Sequence, residues 1–559
     1  MKKYKYSIVN QIYTKYHHNE ITKSTALQML IDVIEESELH DIRVESLEVL
    51  GEIGVQGDVI AFMILENLVL SDTNERVRKA AARVLQKNFP HEAIKPMKWI
   101  ITQDPDYEST IEMIKHLSEI GEEEAKKTLI EELKKIRSIK HDYKRVQHPG
   151  DMFQESIRKI DEEKGLHNLS SEELAKILIN YKTLEALFKK FGSIPIELND
   201  SLVVKMDLRD KNIYDMIEII GLDKLISVQT LNLNNNKLIT LPESINNLTA
   251  LKKLCISVNQ LNSLSDSIGN LDKLYHLDLG HNNLKTLPQS IGNLSLLKTL
   301  DLRNNKLKSL PESIGGLSSL KRLDLRYNHL KSLPESIGNL SSLEGLDIHN
   351  NYLKSLPKSI GDISSLQILN LDSNKLKSLP ESIGKLSSLQ ILDLRNNELK
   401  TLPDSIGNLK SLKVLYLQNN FLKTLPESIG NLKSLQTLDL HFSSLESLPE
   451  SIGDLTSLQS LELRYNPLKF LPESIGDLTS LQTLNLRWNQ LTNLPESIGN
   501  LTSLKKLYLY LYQLLDLSKT HINLASFQLL KKGQLHYQSE GNIQNILDHL
   551  IAKGVVVFD

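Results

Sequence analysis

Leucine recurs with a fixed step through most of this chain. The first leucine of each L-x-L core stands at 231, 254, 277, 300, 323, 346, 369, 392, 415, 438, 461, 484 and 507, always 23 residues apart. In LDLRNNKL (300–307), Leu300 and Leu302 alternate as a short strand with one buried face requires, which turns Asp301 and Arg303 outward. An earlier, degenerate copy starts at Met206, where VVKMDLRDKNI aligns with LKTLDLRNNKL, so about fourteen units cover roughly residues 203–512. Eleven residues after the first leucine comes proline in eleven of twelve units, from Pro242 to Pro495, with Ser265 the exception. Proline cannot continue a hydrogen-bonded ladder, so it ends the turn leading to the other side, where positions such as Ile314 and Leu317 close the wedge. No unit buries its leucines alone, and stacked neighbours make one core and one parallel sheet of ~60 Å. Asn236, Asn259, Asn282 and Asn305, five residues after each leucine, are placed to satisfy buried backbone groups.

Before residue 166 the period is helical. HDIRVESLEVLGEIG (40–54), NERVRKAAARVLQKNF (74–89) and YESTIEMIKHLSEIG (107–121) carry apolar residues three and four apart. SSEELAKILINYKTLEALFKKFG, from Ser170, predicts one or two helices that cover the open end of the repeat array. NIQNILDHLIAKG (542–554) predicts a helix with Asn542 as N-cap and Gly554 as stop. Its apolar face, Ile543, Ile546, Leu547, Leu550 and Ile551, suits the last unit, and VVVF (555–558) reads as a closing strand.

The pattern L-x-x-L-x-L-x-x-N-x-L is the leucine-rich-repeat signature. Its LPESIGNLSSLKxLDLRNNxLKS wording resembles the intracellular Ras-group and related prokaryotic leucine-rich-repeat proteins. The resemblance implies an α/β solenoid, a curved horseshoe with the parallel sheet on its concave face, that binds other proteins and brings no catalytic residue. A small-GTPase or phosphatase pathway partner is implied as well, but no residue specifies one. Val77-Arg78 followed by Ala81 and Leu85 resembles the second helix of a HEAT-type unit, as does Ile42-Arg43 to Leu50. The third copy lacks the Val-Arg pair, and an ordinary helical bundle is the plainer alternative. The expected domains are a HEAT-like helical domain (1–166), a helical linker and cap (167–202), the solenoid (203–515) and a C-terminal cap (516–559).

Composition narrows the function. Lys plus Arg total 66 and Asp plus Glu 69, a net charge of −3 that implies neither a nucleic-acid nor a membrane surface. Cys255 is the one cysteine, so the chain forms no internal disulfide and no thiolate metal cage. With no signal-peptide run at MKKYKYSIVNQIYTKYHHNE and no ~20-residue apolar span, a soluble cytoplasmic protein is expected. Nucleotide, zinc-protease and serine-hydrolase motifs are absent, and no cofactor is expected. The outward histidines His276, His281, His349 and His441 read as surface residues, and the last two, four units apart, lie ~19 Å from each other. Cys255, also outward, is followed by Ile256 and Ser257, unlike the C-x-D nucleophile of bacterial leucine-rich-repeat ubiquitin ligases.

The outward columns hold what specificity there is. One residue after the leucine come Asp278, Asp301, Asp324 and Asp347; two residues later come Gly280, Arg303, Arg326 and His349. Four aspartates ~5 Å apart repel one another, and Arg303 and Arg326 offset part of this. The column reads either as a self-compensating copied surface or as a strip for a basic partner segment. In the next column stand Tyr327 and then Phe442, Tyr465 and Trp488 in three consecutive units, beside Arg464 and Arg487. Exposed aromatics with arginine have the composition of interface hot spots, although a mutual stack stabilising the rim explains them equally. The expectation is a non-enzymatic scaffold or adaptor that docks a protein partner on Phe442, Tyr465, Trp488, Arg464, Arg487, Asp301, Arg303, Asp324, Arg326 and Tyr327. Glycan recognition by the aromatic rim, or an enzyme within the helical domain, is the alternative.

Overall fold

The computed structural model describes residues 7–104, 106–138, 149–219, 221–509, 549 and 551–558. The chain divides into two compact units, residues 1–208 with 217–230 and residues 209–216 with 231–559.

Ten α-helices build the first unit among the described residues: α1 (Ser7–His17), α2 (Lys23–Glu36), α3 (His40–Ile53), α4 (Val59–Ser71) and α5 (Glu75–Asn88). They continue as α6 (Ile94–Gln103), α7 (Tyr107–Glu119), α8 (Glu123–Ser138), α9 (Pro149–Glu163) and α10 (Ser171–Phe191). Short polar side chains start several of them. The Asn74 side chain accepts the Arg76 and Val77 amides, and Ser170 forms a reciprocal capping box with Glu173. The stretch from Ser170 is one helix of 21 residues, stopped by Gly192 at φ +69. The buried face of α5 is Val77, Ala81 and Leu85, as the three-and-four spacing predicts. Both arginines of the Ile42-Arg43 and Val77-Arg78 pairs leave this face to tie helix ends. Arg43 pairs with Asp72 and donates to the Ile34 carbonyl at 2.9 Å, while Arg78 donates to the Asp72 carbonyl at 3.0 Å beside Asp104 and Asp106. The unit ends in an antiparallel hairpin, β1 (Ile196–Asn199) and β2 (Leu202–Asp207), and the Val203 amide donates to Asn180 of α10 at 2.9 Å.

The second unit is a parallel ladder. Thirteen three-residue strands, β3 (Thr230–Asn232) to β15 (Lys506–Tyr508), follow one another in chain order, each centred on a leucine of the 23-residue series. The register is leucine on leucine, Leu277 beside Leu300 beside Leu323, so every other position forms a straight column. β16 (Val556–Phe558) closes the ladder parallel to β15, as expected of VVVF. Of the helix expected over 542–554, residues 542–548 and 550 lie outside the described residues. Ile551 is exposed rather than set against the last unit, and Gly554 takes φ +80.

On the convex side each unit turns through a 3₁₀ helix. Pro311, at φ −71, caps Glu312–Gly316, because its ring already holds the angle the turn needs. Ser265 substitutes with its hydroxyl, which accepts the Ser267 amide at 3.3 Å. The glutamates of this face also link units: Glu335 accepts the Ser359 amide of the next turn at 3.1 Å. The recurring glycine has a steric cause. A Cβ on Gly361 would lie 2.1 Å from the Ser382 carbonyl oxygen, so adjacent turns approach too closely for any side chain.

Asparagine joins the units on the inside. Asn351 accepts the Leu330 amide of the preceding unit at 3.0 Å and donates to the Leu325 and Ile348 carbonyls, both at 3.0 Å. Ser443, in the same column, keeps one of these bonds, donating to the Leu417 carbonyl at 3.1 Å. Truncating Asn351 to alanine strips the buried Leu330 amide of its acceptor and removes one of two donors from the Leu325 and Ile348 carbonyls, which keep Asn328 and Asn374, whereas serine retains a donor. We expect Asn351→Ala to cost about 2–3 kcal/mol and Asn351→Ser about 1 kcal/mol. Urea denaturation of both variants checks this order; equal losses would show that the ladder bonds carry little of the stability.

Candidate functional site

The strand pleat leaves the residues one before, one after and three after each leucine on the outer face of the sheet. Four after it, the chain turns away from the sheet. Every residue at that position from Asn235 to Trp488 takes a left-handed backbone, with φ between +52 and +58. Asparagine fills it in five units, at 235, 304, 350, 396 and 419, which suits a conformation that other side chains resist. Tyr327, Phe442, Tyr465 and Trp488 occupy the same position at φ +55, +54, +58 and +57. Bulky side chains therefore sit where they cost about 1–2 kcal/mol each.

The acidic and basic columns largely neutralise each other within a strand. Asp301 lies 3.4 Å from Arg303, and Asp324 lies 3.0 Å from Arg326. Arg395 holds Asp393 with Nε–Oδ distances of 2.8 and 2.9 Å. His349 and His441 each sit on the aspartate two residues back, at 2.7 and 2.6 Å. Repulsion nevertheless leaves a trace. Burial, with Asp278 next to it, holds the Asp301 carboxyl above the usual carboxylate range. Burial and then the Asp301 charge push Asp324 up to about 6, outweighing Arg326. Burial also lowers the His276 pKa. Cys255 stands in the outward column, in register with Asp278, yet it is buried, with only 7% of its surface exposed. Its outward position in the strand does not bring it to solvent.

The structure separates the residues singled out in the sequence into two clusters. Asp301, Arg303, Asp324, Arg326 and Tyr327 lie together, with Tyr327 edge-on to His349 at 5.0 Å. Tyr327 lines a groove of about 780 Å³ along the rim, with Lys306, His329, Tyr352 and Lys375. Five units further on, ~24 Å at the strand spacing, is the second cluster. Phe442 and Tyr465 stack with centroids 4.2 Å apart and planes 8° apart, and Tyr465 and Trp488 follow at 5.4 Å and 5°. These rings are 46%, 38% and 46% exposed. Arg464 is exposed beside them, and the guanidinium of Arg487 lies over the Tyr508 ring at 4.9 Å.

Two apolar surfaces escaped the sequence reading. Ile368, Ile391 and Val414 neighbour one another directly before their leucines, on the outer face at the middle of the ladder. Other units have residues such as Thr299, Arg322, Thr437 and Ser460 there, so aligning that column would have exposed the run. In the first unit Val59, Ile60 and Met63 of α4 are exposed, as is Trp99 of α6. Helical periodicity did not reveal them because α4 is apolar on nearly every side. Among the described residues no group of three or more His, Cys, Asp or Glu could hold a metal, and no helix is long and apolar enough to cross a membrane.

The sequence model described as leucine-rich repeat region matches residues 263–349, 358–441, 406–464 and 450–552, together just over half of the chain, and a leucine rich repeat model matches 227–248. No curated protein matches. Among solved structures, a leucine-rich-repeat protein of Leptospira interrogans is 36% identical over 60% of this chain and 83% of its own, with a TM-score of 0.51. A plant peptide hormone receptor, solved with a peptide, is 30% identical over 55% of each chain with a TM-score of 0.46. The Drosophila Toll–Spätzle complex matches at 26% identity over 53% of this chain and 42% of that one, with a TM-score of 0.49.

The Asp324 carboxyl has a pH signature. A carboxyl whose pKa is raised by folding adds stability below its unfolded value near 4 and loses it as pH rises through about 6, so ionised Asp324 is a net cost at neutral pH. Asn370 and Asn485 already fill the same column and accept the same amide two residues on. Asp324→Asn should therefore stabilise the protein at pH 7.5 by on the order of 1–2 kcal/mol and leave it unchanged near pH 4. Thermal melts at the two pH values check this; a gain at pH 4 equal to that at pH 7.5 would rule out a charge effect.

Proposed function

The chain belongs to the leucine-rich-repeat family, and we propose that it is a non-enzymatic adaptor that docks a protein partner on the outer face of its sheet. The observation that carries this reading is the Phe442–Tyr465–Trp488 stack. Three consecutive units replace the asparagine that a left-handed backbone favours with large exposed rings. Strain of this kind persists where function keeps it. Each stacked pair is worth about 0.5–1.5 kcal/mol, and each left-handed bulky residue costs about 1–2 kcal/mol. The stack thus does little for the stability of the rim, which favours recognition over structure. Rings of this kind next to arginine make up the buried centre of protein interfaces. Tyr465, between two parallel rings, has no open face on which a sugar could stack, so a protein partner suits the strip better than a glycan does.

Ile368, Ile391 and Val414 extend the docking face toward the middle of the ladder, and the Asp301–Tyr327 cluster contributes its polar border. Arg43 and Arg78, which tie successive helix ends in the same way, support reading the first unit as HEAT-like, with Val59, Ile60, Met63 and Trp99 as a second surface. A cytoplasmic role in signalling fits this arrangement.

The test replaces all three rings by asparagine, the residue the turn prefers. Phe442→Asn, Tyr465→Asn and Trp488→Asn together should change the stability of the folded chain by no more than about 1 kcal/mol. The same variant should lose a partner that wild-type protein captures from the source cell. A variant that loses several kcal/mol yet keeps every partner would make the stack a structural brace.

A further inference from the structure

Lysine forms a column of its own beside the ladder. Eight residues after the leucine stand Lys285, Lys308, Lys331, Lys354, Lys377 and Lys400, all exposed, in six consecutive units. The unit before them has Asn262 at this place, and in the unit after them Lys423 pairs with Glu446 at 2.9 Å. None of the six lysines has a carboxylate within 4 Å among the described residues. Glu312 and Glu335, four residues further along their units, are engaged elsewhere. They accept the Ser336 and Ser359 amides of the next turn at 3.4 and 3.1 Å.

The groove of about 780 Å³ runs through the same six units, lined from Asn282 to Asn396. Lys306 and Lys375 line it, and only the buried Leu307 and Leu376 separate them in the chain from Lys308 and Lys377. No carboxylate lines it among the described residues. Positions four to nine after the leucine in these units hold eight lysines and one carboxylate, Glu398, in a chain whose net charge is −3. Asn283 and Asn350 add side-chain amides, which both donate and accept as a peptide backbone does. The rings do not form an open platform. Tyr352 has the Lys375 ammonium 5.2 Å from its centroid, and His329, in the unit on the other side, 5.9 Å away. That leaves Tyr327, whereas nucleic-acid strands stack successive bases on several rings.

We infer that this groove binds an extended acidic segment of a partner protein, with its carboxylates on the lysines and its backbone against the asparagine amides. The first and last of the six strands are five spacings apart, ~24 Å, which about seven or eight extended residues span. One exposed ammonium contributes little to an ion pair, so selection for acid comes from the array, and opposite charge across an interface sets which partner is accepted. The groove ends two units before Phe442 and is a second surface, independent of the aromatic docking strip.

The experiment is selection of random dodecapeptides by the full-length chain. Wild type should enrich peptides rich in Asp and Glu, with affinity falling at least tenfold between 50 and 500 mM salt. Two variants should lose these peptides at least tenfold: Lys308→Gln with Lys331→Gln and Lys354→Gln, which thins the column, and Lys306→Glu with Lys375→Glu, which reverses charge inside the groove. All five side chains are exposed, so both variants should melt within a few degrees of wild type. A control that removes the same charge elsewhere, Lys134→Gln with Lys273→Gln and Lys298→Gln, should keep the peptides. The triple asparagine variant of the aromatic stack should keep them too, which separates this site from the docking strip. No enrichment of acidic peptides, their retention by either groove variant, an equal loss in the lysine control, or their loss with the aromatic stack would each overturn the inference. Displacement of the peptides at lower concentration by single-stranded oligothymidylate or by polygalacturonate would also overturn it, in favour of a nucleic-acid or acidic-polysaccharide ligand.

Discussion

A repeat of 23 residues cannot bury its own leucines, and the rest of this structure depends on that shortage. Leu277, Leu300 and Leu323 are shielded only because a neighbour stands on each side in register. Stacking in turn buries the backbone of each turn, where water cannot reach its amides and carbonyls. Asn351 resolves this by bonding the preceding unit and its own turn with one side chain. The close approach of convex turns follows from the same stacking and admits only glycine at positions such as Gly361. Proline, asparagine, glycine and leucine are thereby fixed by internal needs, and chemistry that differs between units is confined to the outward columns.

Those columns differ along the ladder. Where Asp301 faces Arg303 and Asp324 faces Arg326, duplication produced a strip that neutralises itself, although burial still raises both carboxyl pKa values. Toward the other end large rings enter a strained turn in successive units. Val258, His281, Tyr327 and Ser373 also replace asparagine at this position, but the run of aromatic rings falls in three adjacent units. A core role does not account for them, because all three rings are exposed.

Much of this was legible beforehand. The 23-residue step announced the parallel register, and the asparagine column placed to satisfy buried backbone groups does so, as Asn282 and Asn305 show. The succession Phe442, Tyr465, Trp488 predicted rings side by side, and they stack within 8° of parallel. The split of the candidate residues into two clusters followed from counting units. Less visible was the left-handed backbone beneath the rings, because the sequence of one unit does not state its torsion angles. Ile368, Ile391 and Val414 went unread because their column precedes the leucine and looks like ordinary β-branched strand filler. The burial of Cys255 was also hidden, since alternation gives the direction of a side chain but not what covers it.

The sequence by itself determined the period, the ladder and the columns, because each repeats a local requirement of strand, turn or buried amide that recurs every 23 residues. Tertiary structure decided which outward residues neutralise each other, which rings lose their faces to a neighbour and which carboxyls resist ionisation. Those properties depend on distances between side chains of different units and on how much water reaches them. A linear repeat fixes the order of such side chains, but only the stacked solenoid sets their separation to a few ångströms.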